Sequence, residues 1–230
     1  MLIVLDLDDT LYLERDYVRS GFKAVDAWLA TECGTNGFLE RAWHYFVSGR
    51  RNDIFNQVLR DIDLEDDGKV LKMLEVYRSH EPDIQLLPDA LSFIRNHAST
   101  ELAIISDGHS VSQWAKVRSL GLKERVKTII ITNDWGREYW KPHPRAFEAV
   151  QQGYLPGECV YIADNPLKDF IAPAALGWMP SIRIRRARSL HEDIPTPESC
   201  IEVGTLDEAA ILFCKGAKGR NLRKRILCLT

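Results

Sequence analysis

Leu2-Ile3-Val4-Leu5-Asp6-Leu7-Asp8-Asp9-Thr10 begins as an unbroken apolar run and ends in carboxylates. A continuously apolar run stopped by a polar cluster predicts a short buried strand from Leu2 to Leu5. Successive side chains of an extended backbone point to opposite faces, so Asp6 and Asp8 point the same way and Leu7 points back into the protein. Two carboxylates that share one small space either raise one pKa strongly or need a cation between them. Alone, the pattern also fits a strand that ends in a solvated acidic turn. The rest of the chain decides between the two.

Downstream of this stretch, apolar residues recur at helical spacing four times: Val18, Phe22, Val25, Leu29; Leu39, Ala42, Trp43, Phe46; Phe55, Val58, Leu59, Ile62; and Val70, Met73, Leu74, Tyr77. Breaks at residues 34–37, Ser48-Gly49 and Asp66-Asp67-Gly68 separate them. From Pro88 the pattern becomes an alternation of helices with short apolar strands: Leu102 to Ile105, Ile129 to Ile131, Cys159 to Ala163, and about Met179 to Ile184. That alternation predicts an α/β fold, a Rossmann-like parallel sheet with helices on both faces. The first strand belongs to the same sheet, so residues 14–86 are read as an inserted four-helix unit. The core is then residues 1–13 and 87–230. A last helix is expected from Leu206 to Phe213.

The net charge of −3 argues against nucleic acid as a partner. No apolar stretch is long enough for a membrane span, and the first apolar run is short and lacks a basic leader, so a cytoplasmic location is expected. The five cysteines are odd in number and contain no Cys-x-x-Cys pair, which argues against a disulfide framework or a structural zinc site. Two basic stretches stand out: Arg183, Arg185, Arg186 and Arg188, and a tail from Lys215 through Lys218, Arg220, Arg223 and Lys224 to Arg225. Both are read as solvated surface.

Ligands of an open parallel sheet sit at the carboxyl ends of its strands. Three strands here end in polar residues at that edge: Asp6 and Asp8, Ser106, and Asp164. Lys141, before Pro142, lies in a nearby loop. Asp6, Asp8 and Asp164 supply the hard oxygens that Mg²⁺ takes. Lys141, the Ser106 hydroxyl and the backbone N–H groups of Ser106-Asp107-Gly108 suit the oxygens of a dianionic phosphate. The cation and Lys141 would offset the repulsion between a carboxylate and a phosphoryl group.

These motifs resemble, in order, those of the haloacid dehalogenase-like hydrolases, the HAD superfamily. Asp6-Leu7-Asp8-Asp9-Thr10 is similar to the family's Asp-x-Asp-x-Thr motif, Ser106 to the second motif, Lys141 to the third, and Asp164 with Asp169 to the acidic fourth. The insertion resembles the helical cap of one subgroup. The resemblance implies a magnesium-dependent phosphatase acting on a small phosphorylated metabolite; whether the chain is a monomer or homodimer is left open by the sequence. Asp6 would be the nucleophile that becomes an aspartyl phosphate, and Asp8 the acid and base. Asp6, the backbone carbonyl of Asp8, and Asp164 would hold Mg²⁺, with Asp169 acting through water or a hydrogen bond. Asp9 is expected to be structural. Ala163 and Asn165 flank Asp164 where the family commonly has Gly and Ser or Thr, a change expected to alter loop detail only. A phosphosugar mutase would use the same residues. A haloacid dehalogenase would need neither Asp8 nor Asp164, and a phospho-acceptor signalling module would not explain the insertion. Arg15, close in sequence to the nucleophile, is expected to meet a second anionic group of the substrate.

Overall fold

In the computed structural model, which describes residues 1–217, Leu2–Leu5 forms β1 in the middle of a six-stranded sheet. On one side lie β2 (Glu101–Ser106) and β3 (Thr128–Ile131); on the other lie β4 (Cys159–Ala163), β5 (Ile182–Ile184) and β6 (Ile201–Val203). All neighbours pair in parallel. The alternation of β1 is visible in its packing. Ile3, Leu5 and Leu7 enter one hydrophobic cluster, and Leu2 and Val4 enter the cluster on the opposite face. A strand covered on both faces has no solvated side, which is why the run contains no polar residue. Strand order runs outward from β1 in both directions, so the crevice beyond the ends of β1 and β4 is the topological switch point.

Between β1 and β2 lie α1 (Glu14–Cys33), α2 (Phe38–Val47), α3 (Ile54–Asp61) and α4 (Asp67–Ser79), followed by α5 (Pro88–Asn96). The first four share a hydrophobic cluster of their own, built on the α1 stripe Val18, Phe22, Val25 and Leu29. Phe38 and Ile54 join it, whereas Leu39, Trp43, Val70, Leu74 and Tyr77 are only half-buried. The expected break at Asp66-Asp67-Gly68 is instead a helix start: the Asp66 side chain accepts from the N–H groups of Gly68 and Lys69, at 2.7 and 3.3 Å. The two strands of chain that enter and leave this block are tied together where Leu87 N–H donates to the Leu11 carbonyl, 3.0 Å.

Helices α6 (Ser110–Ser119), α7 (Arg145–Gln151), α8 (Ile171–Ala175) and α9 (Leu206–Ala217) complete the layers. Strand β6 was not expected from the sequence. It has three residues, of which only Val203 is buried, too few to display a period. Among the described residues no helix is long and apolar enough to cross a membrane. The basic tail from Lys218 onward lies outside the described residues.

The expectation that the arginines in and just after β5 are solvated fails for two of the four: Arg188 is exposed and Arg185 half-buried, but Arg183 and Arg186 are buried. Arg183 is 1% exposed and Arg186 is 7% exposed. Arg183 donates to the carbonyls of Asp164 and His191, at 3.1 and 2.7 Å, and to the Thr196 hydroxyl. Arg186 donates twice to the Thr10 carbonyl, at 3.1 and 2.8 Å, and pairs with Asp89 at 2.9 Å. A guanidinium's planar fork can satisfy several carbonyls at once, and that makes its burial tolerable. Removing one partner of a buried ion pair leaves the other charge uncompensated. Arg186→Met is therefore expected to cost about 3 kcal/mol of unfolding free energy in urea titrations. The exposed Arg188→Ala should stay within about 0.5 kcal/mol of wild type. Equal small effects for both would show that Arg186 holds nothing together.

Candidate active site

Beyond β1 the backbone continues the ladder by one bond, Asp6 N–H to the Ile162 carbonyl at 2.9 Å, and this sets Asp6 at the switch point. Asp164 follows β4 on the neighbouring strand. Asp6, Asp8, Ser106, Asp107, Gly108, Lys141, Asp164 and Asp169 all line one cavity of about 230 Å³. The fold therefore brings every residue singled out from the motifs to one place.

Lys141 is the centre of the site. Its Nζ lies 2.6 Å from Asp6 Oδ1 and 2.8 Å from Asp169 Oδ1, and donates to the Tyr161 hydroxyl at 2.9 Å. Burial disfavours the ammonium, but Asp169 and Asp6 outweigh it and hold the lysine well above its ordinary pKa. Burial, with Asp169 and Asp164 adding repulsion, pushes the Asp6 carboxyl well above the usual range, against the pull of Lys141. Burial and Asp169 do the same to Asp164, whose Oδ2 is 3.0 Å from His191 Nδ1.

Asp8 is held differently. Lys116 Nζ donates to its Oδ1 at 2.7 Å, Gln113 Nε2 to its Oδ2 at 2.8 Å, and the Tyr12 hydroxyl to Oδ1. Burial opposes its charge, yet Lys116 and these hydrogen bonds keep its pKa below the ordinary value. Two neighbouring carboxyls are thus pushed in opposite directions, Asp6 toward its neutral form and Asp8 toward its charged form, so Asp6 needs more positive charge beside it than Lys141 supplies before it can stand as a carboxylate.

At the end of β2, Ser106 Oγ accepts from Gln113 Nε2 at 2.7 Å. Gly108 has φ 126, and a Cβ there would meet the Gln113 side chain at 3.1 Å, so the turn requires glycine. The Asp107 carboxylate is taken up by Thr132 Oγ1 (2.7 Å), the Lys141 N–H (3.1 Å) and Lys168 Nζ (2.6 Å). Only its backbone remains for a ligand. Asp9 accepts from the N–H groups of Glu14 and Leu190, at 2.8 and 2.7 Å, a structural use.

Among the described residues, carboxylate oxygens of Asp6, Asp164 and Asp169 lie within 4.8 Å of one another. Asp169 Oδ1 is buried and, apart from the ion-pair approach of Lys141, has no hydrogen-bond partner. Three hard carboxylates facing one ammonium fit a divalent cation such as Mg²⁺. The Asp8 carboxylate stands outside this set.

Lys116, Gln113, Tyr12 and His191 were missed in the sequence. Gln113 and Lys116 are one turn apart on α6, a spacing that puts both on one face, but nothing local says that this face meets Asp8. Arg15 does not reach the site. Its guanidinium sits 5.3 Å from the Trp43 ring centre and lines a separate cavity with Arg51 and Arg188. Glu14, one residue earlier, faces the site instead.

Residues 1–177 match the haloacid dehalogenase-like hydrolase family. The chain belongs to that family. Over 201 residues this hydrolase is 28% identical to the glyceraldehyde 3-phosphate phosphatase of Methanopyrus kandleri, covering 81% of this chain and 84% of that one. The protein of the same name from Methanocaldococcus jannaschii is 25% identical over 200 residues, covering 81% and 85%. The magnesium-bound HAD-hydrolase YfnB of Bacillus subtilis shares the fold, with a TM-score of 0.64 at 19% identity over 92% of this chain and 97% of that one.

The Lys116–Asp8 pair gives a pH signature. A carboxyl whose folded pKa is depressed contributes stability that is present above its unfolded pKa, about 3.9, and is lost as pH falls through the folded value. Lys116→Met should therefore cost about 3 kcal/mol near neutral pH. The gap from wild type should narrow as pH falls through the carboxylate range, because Asp8 is protonated first in the variant and only further down in wild type, where Lys116 depresses it. Urea titrations at several pH values check this, and a gap independent of pH would remove the ion pair as its source.

Proposed function

We propose that this hydrolase cleaves small phosphomonoesters through a phosphoryl group carried on Asp6. The observation that carries the reading is the buried set of Asp6, Asp164 and Asp169 with Lys141 2.6 Å from Asp6. Residues 14–86 are assigned as a cap over a core of residues 1–13 and 87 onward, supported by the separate hydrophobic cluster of α1 to α4.

In the first step an Asp6 carboxylate oxygen attacks phosphorus as the bond to the ester oxygen breaks, and Asp8 gives that oxygen a proton. In the second, water attacks phosphorus, Asp8 takes its proton, and inorganic phosphate leaves as the Asp6 carboxylate is restored. Lys141, the Ser106 hydroxyl and the backbone of Asp107 and Gly108 hold the phosphoryl oxygens. Lys116 keeps Asp8 ionised at rest, the form that accepts a proton from water. A dianionic phosphate arriving beside it raises the carboxyl's pKa and favours the protonated form that the first step needs. Mg²⁺, held by Asp6, Asp164, Asp169 and the Asp8 carbonyl, would offset the charge of the carboxylates and phosphoryl group.

The test is a panel of phosphomonoesters, glyceraldehyde 3-phosphate among them because two relatives carry that name, assayed with Mg²⁺ and with chelator. Chelator should abolish turnover. Asp6→Asn should lower kcat by about 10⁴ or more and leave no covalent phosphate detectable by mass spectrometry. Asp8→Asn should lower kcat by roughly 10² to 10⁴ while still trapping a phosphoenzyme from an aryl phosphate. Turnover that survives in Asp6→Asn would exclude it as the nucleophile.

A further inference from the structure

A second cavity, of about 370 Å³, adjoins the first. The two share Glu14, and Leu190 of the second is the neighbour in sequence of His191 of the first. Its walls come from the inner faces of α1 to α4, chiefly Val18, Phe22, Phe46, Phe55, Leu74 and Tyr77. Arg51, Asp53 and Asn56 also line it, and the first two are exposed, so they mark its mouth.

The burial pattern shows that this space is built into the helical block. In the cluster shared by the four helices, Phe22, Val18, Phe46, Ile54 and Phe55 retain between 3% and 8% exposure. All of them line the cavity. Val25, Leu29, Phe38 and Val58, members of the same cluster away from it, are at 0%. The buried members of the cluster that keep some exposure are thus those that line the cavity, which runs from a mouth at Arg51 and Asp53 to Glu14 at the carboxylate site.

Resting on the phosphatase reading, we infer that this cavity receives the leaving group, and that the preferred substrates are phosphomonoesters of apolar alcohols. The phosphate lies among Lys141, Ser106 and the carboxylate set, and the organic portion passes Glu14 into the helical block. An alkyl or aryl body there gains by leaving water. The hydroxyl and carbonyl of a three-carbon sugar phosphate would lose water against walls that are mainly aromatic and aliphatic carbon, with the charged side chains at the two ends, Glu14 inside and Arg51 and Asp53 at the mouth. Glyceraldehyde 3-phosphate is therefore a poor substrate on this inference, whatever its relatives' names.

A homologous series separates burial from leaving-group chemistry, because primary alkyl phosphates differ little in the acidity of their alcohols. With Mg²⁺ present, kcat/KM is measured for ethyl, butyl and hexyl phosphate, glycerol 3-phosphate and glyceraldehyde 3-phosphate. Complete burial gives roughly fourfold per methylene. At least a tenfold rise from ethyl to hexyl phosphate is expected, with the two polar substrates at or below ethyl phosphate. Leu74→Trp, which fills the cavity from a half-buried position, should flatten the slope. Binding of ethylphosphonate and hexylphosphonate to wild type by calorimetry, a readout independent of turnover, should show the same ratio. A flat series, or a preference for the polar substrates, overturns the inference and leaves the phosphatase reading standing. Absence of hydrolysis of every phosphomonoester, including an aryl phosphate, overturns both.

Discussion

Three carboxylates whose oxygens lie within 4.8 Å of one another, buried where two parallel strands end, are the constraint around which this molecule is built. Such a cluster repels itself, and burial deepens the penalty because the charges lose water. Lys141 is the first answer, and it must itself be held. The Tyr161 hydroxyl on β4 fixes its ammonium, and Asp107 beyond β2 fixes its N–H. Asp107 in turn accepts from Thr132 after β3 and from Lys168 before α8. The polar ends of four strands thus brace one another. Replacing any link would leave a buried donor or acceptor unpaired rather than merely remove a contact.

The loops beyond β4 and β5 are held by the same logic with different donors. Arg183 gathers the Asp164, His191 and Ile194 carbonyls, which sets the loop that carries His191 against Asp164. Arg186 reaches the Thr10 carbonyl at the end of the first motif. Asp9, in the left-handed region at φ 53, caps the N–H groups of Glu14 and Leu190 and so joins the start of α1 to that same loop. The first motif therefore serves twice, with Asp6 and Asp8 facing the cavity and Thr10 and Asp9 anchoring the loops that wall it.

What could be read from the sequence divides along the range of the interactions. The apolar run of β1, the alternation after Pro88 and the four helical stripes are periodic and local, and the fold follows from them. Asp6, Ser106 and Asp164 were legible because a parallel sheet sends the residues at the ends of its strands to one edge, and Lys141, in a loop well past β3, through the order of the motifs. Buried Arg183 and Arg186 were not, since their partners are carbonyls of distant turns and composition alone places arginine at the surface. Lys116 and Gln113 were hidden for a related reason. Their i, i+3 spacing is visible, but it takes the docking of α6 against α4 and β3 to aim that face at Asp8. Arg15 failed on helix phase: at the start of α1 the position that faces the cavity is Glu14, and the next residue turns toward Trp43.

Helix α6 links the chemistry to the helical block. One face presents Gln113 and Lys116 to Asp8. The Lys116 ammonium also lies 4.1 Å from the centre of the Tyr17 ring on α1, and Ser112 on the same helix donates to the Arg78 carbonyl on α4 at 3.1 Å. These contacts are unequal. A buried ion pair at 2.7 Å holds more strongly than a cation over an aromatic face or one neutral hydrogen bond. If the block shifts relative to the sheet, Tyr17 parts from Lys116 before Lys116 parts from Asp8. Asp8 would then keep its cation, while the aromatic contact that ties α6 to α1 is lost. The packing of the helical block on α6 and the charge balance at Asp8 therefore meet at a single ammonium.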